Sequence, residues 1–311
     1  MATPMNSKEW PRFILPCIRK EWSERLSTVA SPLAPYFGIE TSKSSVEYSQ
    51  GIGAFDVVPE YNSADAEGQP AAIEYDSFNS LFEKTFTHKE YAKGVAIERK
   101  LMDDVRMSAI KRKASSLGYT FGLTVATHMS SVLNNAFSES YLGADGEPLC
   151  DDAHEVNSVS ATTYDNDGSS ALSYDAVVAT LIAGHDMNDD RANPMPVIFD
   201  TLYVPTALQG TAFEIVKAIG VPGGANNDAN ALNYIAGGLK VVVDPYLSDA
   251  NNWFMLDHQL SIQHLLWFWR VKPEIEMDPS SSYDLVARYR GYMRFSYGWD
   301  DARFIYGHEV T

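Results

Sequence analysis

The residues best able to do chemistry fall into three acidic groups and one glycine pair. Asp165-Asn166-Asp167-Gly168 has the start of a calcium loop, but an EF-hand also wants an acidic residue at 163 and a glutamate at 174. Thr163 and Tyr174 stand there, so the four residues read as an Asx-rich turn. His185, Asp186, Asp189 and Asp190 form the densest metal-capable group, and their adjacency equally fits a helix end running into a solvated loop. Asp151, Asp152 and His154 make a third group of the same kind. A metal held by such groups would serve hydrolysis, so a metal-dependent hydrolase stands as one alternative function. Gly51-Ile52-Gly53 is followed by Asp56 where a dinucleotide fingerprint needs glycine. No P-loop, G-x-S-x-G elbow or H-E-x-x-H pair occurs. The seven histidines are scattered, and His264, beside an aromatic run, reads as a core residue. No catalytic residue, cofactor site or metal site emerges, and the chain reads as a non-enzyme.

The elements that carry these groups divide the chain. Pro16 suits a helix start, and Ile18, Trp22, Leu26 and Val29 then recur at helical spacing until Pro32 and Pro35 stop the run. This helix has no evident partner within its own segment. From Val46 to Ile97 apolar residues are thin, and Gly51, Gly53, Pro59, Gly68 and Pro70 punctuate the stretch. It reads as a long two-stranded ribbon with Asn62–Gly68 at its tip. An isolated hairpin is marginal in water, so neighbouring copies of the chain are a plausible support. Met102, Val105, Ile110, Ala114, Leu117, Phe121, Val125, Met129, Val132, Leu133 and Ala136 then follow three-and-four spacing. A helix from Leu101 to about Phe137 would run ~55 Å, with Gly118 and Gly122 as places for a kink.

A third region, from about Ala171 to His258, reads as a compact mixed unit. Ser173 caps a helix carrying Val177, Val178, Leu181 and Ile182, and Pro196 to Val204 is a buried strand. Pro205 opens a helix ending near Gly220, and Val221 to Ala231 is a soft tract. Leu239 to Val243 and Trp253 to Leu256 are short strands. In the last part Tyr283, Leu285, Ala287, Tyr289, Gly291, Met293, Phe295 and Tyr297 alternate with mostly polar residues, the clearest period-two pattern in the chain. Such a strand spans ~50 Å at ~3.3 Å per residue. The long helix and the long strand therefore match in length and suit one extended layer, with the middle unit as a second lobe.

Composition narrows the classes further. With 24 basic and 41 acidic residues the formal charge is −17, so a chain near DNA is expected to contain it rather than grip it. Cys17 and Cys150 make no disulfide framework and suit a reducing compartment. No signal peptide or membrane-length apolar run is present, and the longest, Leu265 to Trp269, is five residues. A cytosolic chain with no membrane association is expected.

Four strings in order carry a family resemblance. Leu142-Gly143-Ala144-Asp145-Gly146-Glu147-Pro148-Leu149-Cys150 with Ala153-His154 is similar to a stretch of Mu-like phage major head subunits. Leu202-Tyr203-Val204-Pro205-Thr206-Ala207-Leu208 resembles their strand-to-helix passage. Val241-Val242-Val243-Asp244-Pro245-Tyr246-Leu247, with Ala250-Asn251-Asn252-Trp253-Phe254, resembles the strand pair that follows. Gly298-Trp299-Asp300-Asp301-Ala302-Arg303-Phe304-Ile305-Tyr306-Gly307 is similar to their C-terminal strand. The strings cover Leu142 to Gly307, and the first hundred residues match in layout alone.

The chain thus resembles the major capsid proteins of tailed bacteriophages (Caudoviricetes), with the α+β HK97-like fold. The resemblance implies an N-terminal arm at 1–45 and an extended loop (E-loop) at 46–97. It implies a peripheral domain at 98–164 and 259–311, with its spine helix at about 101–137, and an axial domain at 165–258. It further implies self-assembly through pentamers and hexamers into an icosahedral virion capsid, formed in the host cytoplasm around double-stranded DNA that is enclosed without sequence-specific binding. Portal, terminase, scaffold and decoration proteins are the implied partners. Candidate inter-subunit contacts are Asp65, Glu67 and Gln69 at the ribbon tip, Trp22 on the first helix, and Asn226 and Asn227 in the soft tract. Some members cross-link through Lys and Asn, but that motif cannot be mapped onto Lys84, Lys89 or Lys93. With about a hundred residues ahead of the long helix, a cleaved N-terminal scaffold segment is not expected. An encapsulin-type compartment enclosing cargo enzymes is the alternative within the same fold.

Overall fold

Alternation of apolar and polar residues builds the longest strands, and three-and-four spacing builds the longest helix. The computed structural model describes residues 10–53, 55, 57–58, 75, 80–104, 107–157, 162–221, 229–234, 238–278 and 286–310. In chain order the elements are α1 (Trp10–Leu26), β1 (Gly38–Thr41), β2 (Val46–Ile52), β3 (Ser80–Thr87), β4 (Lys89–Glu98), α2 (Arg99–Asp103), α3 (Met107–Asn134), β5 (His154–Glu155), β6 (Thr163–Tyr164) and β7 (Asp167–Gly168). They continue with α4 (Tyr174–His185), β8 (Thr201–Pro205), α5 (Gln209–Lys217), β9 (Lys240–Asp244), β10 (Trp253–Leu256), α6 (His258–His264), β11 (Leu265–Met277), β12 (Val286–Trp299) and β13 (Ile305–His308). The chain divides into two compact units, residues 1–47, 86–132 and 266–298 in the first and 48–85, 133–265 and 299–311 in the second.

The first unit is built on a four-stranded sheet in the order β1-β11-β12-β4. On β12, Ala287, Tyr289, Met293 and Phe295 are buried while Arg290 faces solvent, as the alternation demands. β4 runs antiparallel to β12 from Glu98 opposite Val286 to Lys89 opposite Phe295. β1 runs parallel to β11, with Gly38 opposite Leu266 and Thr41 opposite Trp269. One edge strand is therefore four residues long, and the other exposes Lys89, Glu90, Lys93 and Glu98; shortness and charge both discourage edge-to-edge pairing. Trp267 stacks on Phe295 at 4.5 Å and on Tyr297 at 5.3 Å, and Tyr91 stacks on Phe295 at 4.6 Å. Buried His88 is held at both ring nitrogens, Nε2 by Ser42 Oγ (3.0 Å) and Nδ1 by Ser296 Oγ (2.9 Å). Burial, with Arg294 nearby, pushes the His88 pKa down.

Two helices cover this sheet's unit. α3 buries Ile110, Ala114, Leu117, Phe121, Met129 and Val132. Gly291 lets it approach β12, since a Cβ there would stand 2.5 Å from the Phe121 ring. α1 buries Ile14, Ile18 and Trp22, four residues apart. Three expectations are corrected by these helices. Pro16 lies inside α1 rather than opening it; its missing N–H costs about 3 kcal/mol, offset by the buried face on either side. Gly118 and Gly122 lie within an uninterrupted α3 and serve close packing: a Cβ at 118 would collide with the Trp22 carbonyl oxygen, and one at 122 would lie 2.8 Å from Val29 Cβ. The long helix is also shorter than expected, because residues 99–103 form a separate helix.

The second unit has a five-stranded sheet in the order β7-β13-β10-β8-β9. β10 is antiparallel to β8 and β13, while β8 pairs parallel with β9 and β13 parallel with β7. Its core holds Val177, Val197, Phe199, Leu202, Val204, Ile215, Trp253 and Met255. Ser173 caps α4 as expected, its side chain accepting from the Ala176 N–H. Pro205 ends β8 and flanks a 3-10 turn that leads into α5, rather than standing at a helix's first turn. β13 joins this sheet, with Trp253 opposite His308, so the chain's last residues group with the middle lobe instead of the long strands. β2 and β3 pair as a two-stranded ribbon that ends before β4 enters the first sheet. Its expected tip, 62–68, lies outside the described residues.

Candidate assembly surfaces

The acidic groups resolve into turns. Asp165 Oδ1 accepts the Asp167 N–H (2.8 Å), Asp151 Oδ1 accepts that of Ala153 (2.9 Å), and Asp189 Oδ1 accepts those of Arg191 and Asn193 (both 2.8 Å). Asp145, Asp244, Asp249, Asp257 and Asp301 do the same for residues two ahead. An aspartate in this role shapes a loop through its own backbone. Among the described residues, no group of three His, Cys, Asp or Glu side chains is arranged to hold a metal ion. Asn166, between two of these aspartates, is a buried hub. Its Nδ2 donates to the carbonyls of Leu149, Ala302 and Ile305 (3.0–3.2 Å), and its Oδ1 accepts from the Asp151 N–H (2.9 Å).

A cleft of about 200 Å³ in the second unit gathers the remaining charge, lined among others by Asp145, Tyr164, His264, Trp299 and Arg303. His154 is fully buried beside it, with Nδ1 2.5 Å from Asp145 Oδ2 and its ring stacked on Tyr164. Arg303 donates to Asp301 (2.7 Å) and lies 4.8 Å over the Tyr164 ring. Burial drives the Tyr164 pKa well up. His264 lines the cleft rather than sitting in the core, with Nδ1 3.0 Å from Asp300 Oδ1. Burial alone would lower its pKa, but the Asp300 hydrogen bond and the charges of Asp301 and Asp300 raise it. The His264–Asp300 pair joins residues 36 apart in the chain, whereas Arg303 and Asp301 pair within one loop.

The exposed apolar surfaces lie elsewhere. Tyr48, Phe55, Val57, Val58 and Tyr75, on and around the ribbon, are 58–89% exposed. Ser49 Oγ donates to Asp300 Oδ2 (2.6 Å) and Lys84 Nζ donates to the Gly143 carbonyl (3.1 Å), fixing the ribbon's base to its unit. Of the expected contact residues, Asp65, Glu67, Gln69, Asn226 and Asn227 lie outside the described residues. Trp22 is in the interior of the first unit, its ring edge on Phe121 at 6.0 Å, so its described contacts are within the chain. Sequence reasoning passed over the five exposed apolar side chains. The available signal was their presence in a stretch otherwise polar and punctuated by glycine and proline.

A family model described as "Phage capsid protein" matches residues 82–307. The chain belongs to the phage capsid proteins. No curated protein matches its sequence. Solved structures resemble this capsid protein at low identity. The procapsid of bacteriophage JBD30 matches with a TM-score of 0.54 at 14% identity, over 100% of this chain and 77% of that one. The capsid of cyanophage P-SCSP1u matches at 0.55 and 12%, over 91% and 88%. The virus-like particle from Pyrococcus furiosus matches at 0.54 and 10%, over 94% and 97%. The fold is the HK97-like capsid fold, and the capsid protein is a structural component of an icosahedral shell. Among its described residues no helix is long and apolar enough to cross a membrane.

Proposed function

We propose that this protein is the major wall subunit of a tailed-phage head, assembling through pentamers and hexamers around double-stranded DNA in the host cytoplasm. The N-terminal arm, extended loop, peripheral domain and axial domain are read at 1–45, 46–97, 98–164 with 259–311, and 165–258. Portal, terminase, scaffold and decoration proteins are its transient partners. The supporting observation is the exposed apolar set on β2 and in the stretch between β2 and β3. Among the described residues, side chains such as Val58 (88%) and Tyr75 (89%) are exposed. Apolar clusters of this kind mark interaction surfaces. In a shell, each ribbon would cover them on a neighbouring copy, and repetition multiplies individually weak contacts.

Negative-stain microscopy with mass photometry tests the reading on the purified chain and on a variant lacking residues 62–69. Closed shells are expected from the parent, and folded but unassembled subunits from the variant. Intact shells from the variant would overturn the role of the ribbon. A parent that stays monomeric or dimeric would overturn the shell reading itself. Particles that enclose protein cargo instead of nucleic acid would move the assignment to an encapsulin-type compartment.

A further inference from the structure

The charge of the chain is divided very unevenly. The first unit carries 19 Lys and Arg against 13 Asp and Glu, net +6, and the second carries 5 against 28, net −23, which together give the −17 of the whole. Screening limits electrostatic reach to about 8–10 Å at physiological salt. A unit whose main helix has 28 residues, hence ~42 Å of length, presents its own sign to anything that touches it. The overall acidity therefore does not describe the surface of the first unit.

Within that unit a groove of about 390 Å³ lies between α1 and α3, lined by Arg25, Lys111, Arg112, Ser115, Ser116 and Tyr119, with Glu21 at its side. Glu21 takes up one cation, Lys111, at 3.3 Å. The Arg25 guanidinium lies 5.3 Å over the Tyr119 ring, which holds it at the groove, and no carboxylate of the described residues pairs with it. Arg112 is exposed and Lys113 follows it on the same turn. Guanidinium groups beside hydroxyl donors and a phenol are the side chains that contact phosphate oxygens and fix a nucleic acid in place without reading its bases.

We infer that this groove binds the phosphate backbone of double-stranded DNA, making the basic unit the part of the shell that touches the packaged genome. The inference rests on the shell reading above. Duplex DNA offers one charge per ~1.7 Å of axis, so a row of two or three cations meets phosphates in any register and needs no sequence. An acidic surface on another copy is the competing occupant, but it would need carboxylates spaced to match this groove.

Fluorescence anisotropy of a labelled 30-base-pair duplex with the full unassembled chain, between 50 and 200 mM salt, tests it. The pair Arg25→Gln and Arg112→Gln is expected to weaken binding about tenfold at low salt and to flatten the log–log salt slope by about 1.8, near 0.9 for each phosphate no longer neutralised. The pair Arg25→Lys and Arg112→Lys, which keeps the charge, should bind within about threefold of the parent. It also carries the test if the glutamine pair misfolds by circular dichroism. Lys217→Gln with Lys240→Gln, in the acidic unit, should leave binding unchanged. A parent that does not bind at 50 mM salt, or a glutamine pair with the parental slope, overturns the inference. So does a glutamine pair that binds DNA normally yet no longer closes shells, which would assign the groove to another copy. Shells scored separately by microscopy distinguish the levels: parental shells without DNA binding sink this inference alone, and no shells sink the reading beneath it.

Discussion

The two units solve the folding problem with opposite materials. The first uses long elements, a 28-residue helix and strands of 13 and 14 residues, and a ladder of stacked aromatics. The second uses short elements joined by many turns, and eight of its aspartates accept backbone N–H groups within those turns. Eight of its 28 acidic residues thus serve turn chemistry. The long strands have a solvent face to furnish, and Arg288, Arg290, Arg294, Lys89 and Lys93 furnish it. Part of the charge division thus follows from the difference in architecture.

If the first unit depends on apolar stacking, Trp267→Ala is its most damaging change. Truncating a fully buried tryptophan costs roughly 3–5 kcal/mol. Hydrogen exchange should show protection falling in β4, β11 and β12 while β8 and β10 keep theirs. Equal losses in both sheets would break the distinction. The second unit should fail by the opposite route. Asn166→Ala removes no large apolar volume, yet it strips partners from three buried carbonyls and one N–H. A cost of about 3 kcal/mol is expected, from the desolvation of the groups left unpaired. It should appear as lost protection in β10 and β13; an effect below ~1 kcal/mol would mean that water replaces the amide.

Gly118→Ala sharpens the account of the helix pair. A methyl group there meets the Trp22 backbone, which cannot yield as a side chain end would. Overpacking of about 2 kcal/mol is expected, read as a lower urea midpoint and faster exchange in α1. Gly210→Ala, where an added Cβ meets nothing within 4 Å, should gain a few tenths of a kcal/mol or stay neutral. If both variants behaved alike, the close approach would not be what keeps residue 118 a glycine.

The same particulars divide what a sequence makes legible from what it hides. β12 is legible because its alternation runs through Phe295 with few exceptions, and α3 because its apolar stripe is long. Periodicity places Trp22 on a helix face but names no partner, and Phe121, which its ring edge meets, lies almost a hundred residues away. Strand β11 begins with Leu265-Leu266-Trp267-Phe268, buried on both faces, so no alternation announces it. Asn166 looks like part of an exposed turn, since nothing in its type says that it points inward. Charge is the least legible property. Counted over the whole chain it says only that DNA is repelled, and the basic unit appears once the fold has sorted the residues.

The comparison reaches pH through one strand pair of the second unit, where Gly168 on β7 faces His308 on β13. His308 is buried against Trp253, 3.9 Å between rings, and burial pushes its pKa down to about 4. The unfolded chain takes up that proton first, so stability contributed by neutral His308 is full above about pH 6.5 and is lost as pH falls towards 4. Asp167 runs the other way. Burial, with Asp165, Glu309 and Asp151 adding to it, raises its pKa to about 6, although the Gly168 N–H opposes the shift. Folding there favours the protonated acid, so stability rises as pH falls through 6 towards 3.8. The two slopes oppose each other over the same window, so these two groups together should add little pH dependence between 6 and 5. Asp167→Asn removes one of them. The variant should lose stability relative to the parent over that single unit, by well under the ~1.4 kcal/mol that one full proton allows because Asp167 is partly solvated, measured by urea midpoints at the two pH values. Parallel pH profiles for the two proteins would show that Asp167 does not balance His308.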